Sequence, residues 1–368
     1  MEHGSGGSAM KKRDWILAVA LLLPGVLLLL FRVLKDNDTM MERWVFGVMA
    51  PVEQLLGRMW AAVPGSGAEL LTAIALTGAA AWLIWTVAWL IRERSLRDLV
   101  RRLLALAAAV LWLLAGLDWL WNAAYYAPSF AQRSGLEMGT CSVEELTNVT
   151  QLFGERAGKL SVQMPRDEKG HFAVSPQECL KRGVCVYDGL TGEFAFLNVP
   201  SVAAKPLFFS RLQSALGFTG VYFPFTGEAN VNVDAPACLL PTTIAHEMAH
   251  QRMVAPEEEA NFVGIAACIT CKDPVFQYSG YLLGLIHLSN ALYSADREAW
   301  YGIRAAFPEE LVTDWNDNNA YWAALASPVE DLAEQAYDSF LKGNGQSLGM
   351  RSYGACVDLL VAWMREGA

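Results

Sequence analysis

Two histidines four residues apart with a glutamate between them, in His246-Glu247-Met248-Ala249-His250, are the residues of this chain best suited to chemistry. On a helix, positions four apart share one face and lie about 6 Å apart along the axis, so both imidazoles can address one point, as a zinc ion requires. Glu247 is set about 100° round such a helix, close to the ion without ligating it, where its carboxylate can take a proton from metal-held water. The spacing is that of HExxH, a pattern of metal-assisted hydrolysis.

A hydrolytic zinc needs a third protein ligand and one position left for water. The stretch "APEEEANF" supplies candidates: Pro256 favours a helix start, and Glu257 in the first turn presents its carboxylate back toward the histidines. Glu259 is the alternative ligand, and Glu258 is expected to point into solvent. Asn261, one turn beyond Glu257, is placed to hydrogen-bond a ligand histidine from behind. Hydrolysis also calls for a donor to the developing oxyanion. Tyr278, Tyr281, His287, Arg351 and Tyr353 are candidates; Tyr353, in "MRSYG", comes first, whereas His287 on an apolar helix fits a core role. Glu228 in "TGEAN" either lines the cleft or bonds backbone amides nearby.

These residues need elements to hold them, and the chain divides sharply. It is 54% hydrophobic and 18% charged over 368 residues, too apolar for an ordinary soluble globule. The excess lies in three runs, expected to cross a membrane as helices over about residues 15–34, 70–91 and 103–124. Lys11, Lys12 and Arg13 precede the first, and Arg92, Arg94, Arg97, Arg101 and Arg102 separate the second from the third; both clusters belong on the cytoplasmic side. Domain limits follow: residues 1–14 inside, 15–124 in the membrane region, and 125–368 as a domain outside the cytoplasm.

That outer domain carries 16 Lys+Arg against 28 Asp+Glu. Such an acidic surface argues against nucleic acid as a partner. A capped helix is expected after Ser142, a helix in "KPLFFSRLQSALGF", and extended backbone in "GVYFPFTGEANVNVD", whose Pro224 confines it to an edge or bulge. Helical patterns then dominate, from Pro241 to about Met253, Glu257 to about Thr270, Tyr278 to Ser294, Pro328 to Leu341 and Ser352 to Glu366. The fold class expected is therefore a three-helix anchor plus a mainly helical α+β domain. The 7 cysteines all lie in the outer part. Cys179 and Cys185 could close a small disulfide loop, while Cys268 and Cys271 read as small core residues.

The ordered set "GVYFPFTGEANVN", "HEMAHQR", "EEEANF", "YSGY" and "SYGACVDLL", with the "AQRSGL" junction, resembles the bacterial membrane-protein family known as domain of unknown function 3810, a zincin-like group of predicted metallopeptidases. More distantly it resembles the gluzincin peptidases, whose zinc site is completed by a glutamate followed four residues later by an acid or amide; the matching positions here are Glu257 and Asn261. Two departures stand out. Met253 occupies a place where similar sequences tend to have Gly, and the interval from His250 to Glu257 is shorter than in most gluzincins.

The resulting expectation is a multi-pass protein of the bacterial cytoplasmic membrane, its N-terminus inside. Its outer zincin-like domain holds Zn²⁺ on His246, His250 and Glu257, with Glu247 as general base. Peptide or protein substrates would run along the segment near Thr226 to Asn232, and the lipid bilayer is its other partner. The alternative is an inactive membrane-tethered zinc-binding sensor or peptide-binding module, with Cys238 as the nearest soft fourth ligand.

Overall fold

The computed structural model describes residues 12–93, 95–137, 141–344 and 353–367. The first five helices are α1 (Lys12–Leu34), α2 (Asp38–Trp44), α3 (Ala50–Trp60), α4 (Gly67–Glu93) and α5 (Leu96–Leu120). Three of them, α1, α4 and α5, are long and apolar enough to cross a membrane, with mean hydropathies of 2.6, 1.9 and 2.1. They overlap all three expected runs, and α5 starts earlier, at Leu96, because Ser95 caps it by accepting from the Asp98 amide.

Helices α1 and α5 lie side by side in the same direction. At one end Asp14 pairs with Arg101 at 2.6 Å; near the other, Phe31 meets Trp119 edge-on, ring centroids 5.6 Å apart. The cation-rich ends thus gather at one end of the bundle. The segment between α1 and α4 is helical where no regular pattern was expected. Asn37 caps α2, a π-helical turn over Val45–Met49 joins it to α3, and the buried face of Met41, Val45 and Met49 packs with Phe31, Trp121 and Tyr222. This layer sits between the long apolar helices and the domain that follows them.

The domain that follows α5 contains α6 (Phe130–Ser134), α7 (Val143–Ser161), α8 (Pro176–Arg182), α9 (Ser210–Ala215), α10 (Leu240–His250), α11 (Glu257–Thr270), α12 (Pro274–Ala295), α13 (Arg297–Arg304), α14 (Glu309–Ala323), α15 (Pro328–Gly343) and α16 (Tyr353–Arg365). Among the described residues 72% are helical. Ser142 caps α7 through a reciprocal box with Glu145, as expected. The core is built on α12, which packs against α7, α10, α11 and α16. Phe153, Phe262, Ile265 and Leu285 there are fully buried.

A three-stranded sheet has the order β1-β3-β2, with β1 (Lys205–Pro206) parallel and β2 (Gly220–Phe223) antiparallel to β3 (Glu228–Val231). The helix expected from Lys205 shrinks to α9 because Lys205 and Pro206 pair with Asn230 and Val231 instead. Lys205 is nearly buried; its ammonium pairs with Glu228 at 2.6 Å and donates to the Trp60 and Val63 carbonyls at 2.7 and 2.8 Å. Glu228 in turn accepts from the Ala68 amide at 3.1 Å, at the positive end of α4. Buried charges persist when paired and hydrogen-bonded in this way. Glu69 accepts from the amides of Phe208 and Phe209, both at 2.8 Å. The sheet is clasped to the N-terminal end of α4.

All seven cysteines are unbonded. Cys179 is buried in the core and Cys185 exposed, so the small disulfide loop does not form; Cys268 and Cys271 are buried as expected.

Candidate metal centre

Helix α10 starts with Pro241 in its first turn and turns Ile244, Ala245, Met248 and Ala249 into the core, all fully buried. This leaves His246, Glu247 and His250 toward a cavity of about 720 Å³. After His250 the chain reverses tightly: the Met253 amide donates to His250 O at 3.0 Å and the Val254 amide to Ala249 O at 3.2 Å, with Met253 left-handed at φ 61°. That conformation favours glycine, which carries no Cβ to clash with the backbone. Here the strain, about 1–2 kcal/mol, is offset by burying the Met253 side chain in the cluster around Trp121 and Tyr222.

The turn has a direct effect on the site. It brings the Val254 carbonyl to 2.7 Å from His250 Nδ1. A carbonyl can only accept, so Nδ1 carries the proton and Nε2 presents its lone pair. Burial pushes the His250 pKa down to about 4, which keeps the ring neutral near pH 7.

Pro256 starts α11, and Gly264 lets it press against α10: a Cβ there would lie 3.0 Å from the His246 amide nitrogen. Glu257 thereby reaches both histidines, with Oε2 at 3.2 Å from His246 Nε2 and Oε1 at 3.9 Å from His250 Nε2. The three ligand atoms all lie within 4.8 Å of one another. Ligands of a tetrahedral zinc at about 2.0–2.2 Å stand roughly 3.4 Å apart. The donor set and its spacing therefore fit such an ion. Burial alone would raise the Glu257 pKa, but the hydrogen bond and charge of His246, with His250, bring it to about 2. Burial opposes charge on His246 too, yet Glu257 and the Asn261 side chain raise its proton affinity.

Glu247 is 3% exposed, and burial lifts its pKa to about 8. It lies against Gly220 of β2, where a Cβ would come within 2.5 Å of Oε1, and its Oε2 is buried without a hydrogen-bond partner. A carboxyl group so placed beside the ligand trio can accept a proton from water and release it again.

Asn261 sits as expected against His246. Glu259 does not reach the trio: it accepts from the Phe130 and Ala131 amides at 2.7 and 3.2 Å and so caps α6. Glu258 lines the cavity instead of facing open solvent. Tyr278 donates to Asp314 in the core, and Tyr281 packs on Phe153. His287 is buried but borders the cavity, and burial keeps it neutral with a pKa of about 4. Arg351 and the Tyr353 side chain lie outside the described residues. Cys238 is buried near Asp314 and is no part of the ligand cluster. Within the stretch Thr226 to Asn232, β3 is the central strand, with β2 along its whole length and β1 beside Asn230 and Val231, so it is not the open edge for an extended chain; the strand edge at the cavity is β2.

Three contributors are not among the site residues expected from the sequence. Trp121, just past α5, meets His250 edge-on at 5.3 Å; Tyr222 of β2 lies 6.3 Å from the same ring and donates to the buried Glu53. Tyr337 of α15 donates to Glu257. Only the last could have been suspected, since Glu330, Glu334, Tyr337 and Leu341 follow a helical period and all line the cavity.

The family model described as protein of unknown function (DUF3810) matches residues 45–361. No curated protein and no solved structure matches the chain.

Proposed function

The chain belongs to the DUF3810 family, and we propose that it is a membrane-anchored zinc-dependent metallopeptidase with a zincin-like outer domain. The observation that carries this reading is the convergence of His246, His250 and Glu257 beside a buried Glu247 whose Oε2 has no partner. In this reading those three side chains hold Zn²⁺, which when bound supplies Lewis acidity toward a carbonyl and lowers the pKa of water. Glu247 takes a proton from the attacking water and returns it to the leaving amine. The free edge of β2 aligns substrate backbone by main-chain pairing. Val254 holds His250 in the ligating tautomer. An inactive zinc-holding sensor would close the fourth position with protein; among the described residues the ligand cluster stops at three, which favours an open site.

For orientation, the cationic ends of α1, α4 and α5 gather away from the trio, which supports an N-terminus inside and the metal centre outside the cytoplasm. The deciding experiment is metal analysis of the purified full chain together with a peptide-library digest. Glu247→Gln is expected to keep zinc while cleavage falls by about 10²–10⁴-fold; His246→Ala is expected to lose the metal. Undiminished zinc in His246→Ala, or undiminished cleavage in Glu247→Gln, overturns the reading.

A further inference from the structure

We infer that the preferred substrate carries a basic side chain within about three residues of the bond cleaved, received by Glu334 and Glu330 of α15; this rests on the metallopeptidase reading. The cavity is marked as a ligand site by Glu247, whose buried Oε2 has no hydrogen-bond partner. Among the described residues its lining includes Glu258, Glu330 and Glu334 beyond Glu247 and Glu257, and no Lys or Arg. On α15 itself Asp338 is held by Lys342, four residues on, at the end away from Glu330 and Glu334. Among the described residues, Glu330 and Glu334 form no ion pair.

Their placement sets the register. Tyr337 touches the trio through Glu257. At about 1.5 Å per residue, Glu334 stands about 4.5 Å and Glu330 about 10.5 Å farther along α15. The opposite wall is the β2 edge, Gly220 to Phe223, where an extended chain would advance about 3.3 Å per residue. One to three residues of substrate span the interval from the reacting bond to these two carboxylates. Cations entering there exchange water for carboxylates that have no protein cation to displace, so the charge preference comes without breaking a native ion pair.

The test uses the full chain in phosphatidylcholine vesicles with zinc bound, and sets of otherwise identical peptides carrying Lys, Ala or Asp at each of the three positions on either side of the cleaved bond. At low salt, Lys at one of these positions is expected to improve kcat/KM over Asp by roughly tenfold or more, mostly through KM and shrinking at high salt. The double variant Glu330→Lys/Glu334→Lys is expected to invert the order. Hydrolysis that depends on Glu247 but ignores peptide charge, or an order unchanged in the double variant, overturns the inference and leaves the peptidase reading intact. Absence of hydrolysis with zinc bound defeats the peptidase reading instead. Anisotropy of labelled Lys and Asp peptides on zinc-loaded Glu247→Gln then still reads the charge preference: equal affinities refute it, and tighter Lys binding supports it.

Discussion

The two walls of the cavity are built differently. The wall formed by α10 and α11 is core: Ala245, Ala249, Ala260 and Val263 are fully buried, and a glycine lets one backbone touch the other at His246. The wall formed by α15 is applied from outside. Leu341 is its one fully buried side chain, Val329 and Leu332 are exposed, and it is seated by Tyr337 on Phe218 and Phe340 on Tyr125. The difference separates two tasks. Side chains that must converge to within a few ångströms belong on elements that cannot shift without unpacking the core, whereas a wall with no such demand can rest on few contacts.

The contrast can be broken most forcefully at Gly264. Gly264→Val pushes a branched side chain against His246 backbone, which has no flexible end to yield, and is expected to cost about 1–3 kcal/mol or more and to lower zinc content. Thermal melting and metal analysis of the same preparation check this; a variant that melts like the parent and keeps its zinc would mean the first wall is softer than its packing implies.

A second test lies at the end of α10. Because Met253 is left-handed, Met253→Gly is expected to be more stable than Met253→Ala by about 1 kcal/mol, although both lose the buried side chain. Denaturant melts compare the two, and the reverse order would show that the turn relaxes. Tyr337→Phe keeps the ring on Phe218 but cuts the hydrogen bond that ties α15 to Glu257 on the first wall, and is expected to leave global melting unchanged while speeding proteolysis of α15. A drop in global melting temperature comparable with that of Gly264→Val would erase the distinction.

The smallest effect concerns α16, which backs the rigid wall. Arg365 holds the Glu145 carboxylate at a pKa of about 2, below its ordinary value. A depressed acid contributes stability above its unfolded pKa, near 4.5, and loses it as the pH falls through 2. The melting difference between the parent and Glu145→Gln should therefore be full above pH 5, fade toward pH 2 and shrink in salt.

Much of the candidate site was legible because it is local. His246 and His250 are one helical turn apart, Glu257 follows a proline that starts a helix, and α11 spans the residues the pattern indicates, Glu257 to Thr270. The spans were legible from unbroken apolar runs. What could not be read depends on distant partners. Glu257 and Glu259 are equivalent by position in a first turn, and only the free amides of α6 decide that Glu259 is taken. Alternation in "GVYFPFTGEANVNVD" announced strands, but which strand is the edge depends on β1, two residues without a pattern of their own. Trp121 reads as the end of a span until Tyr222 and His250 are folded against it.

The clasps between sheet and span also limit what this centre can meet. With Glu228 and Glu69 fastened to the head of α4, and Trp121 following α5 without a linker, the domain cannot swing like a ball on a string. Its position is that of a tool bolted to a bench: for the proposed peptidase, the height at which a chain passes would decide whether it is cut before its charge is ever felt.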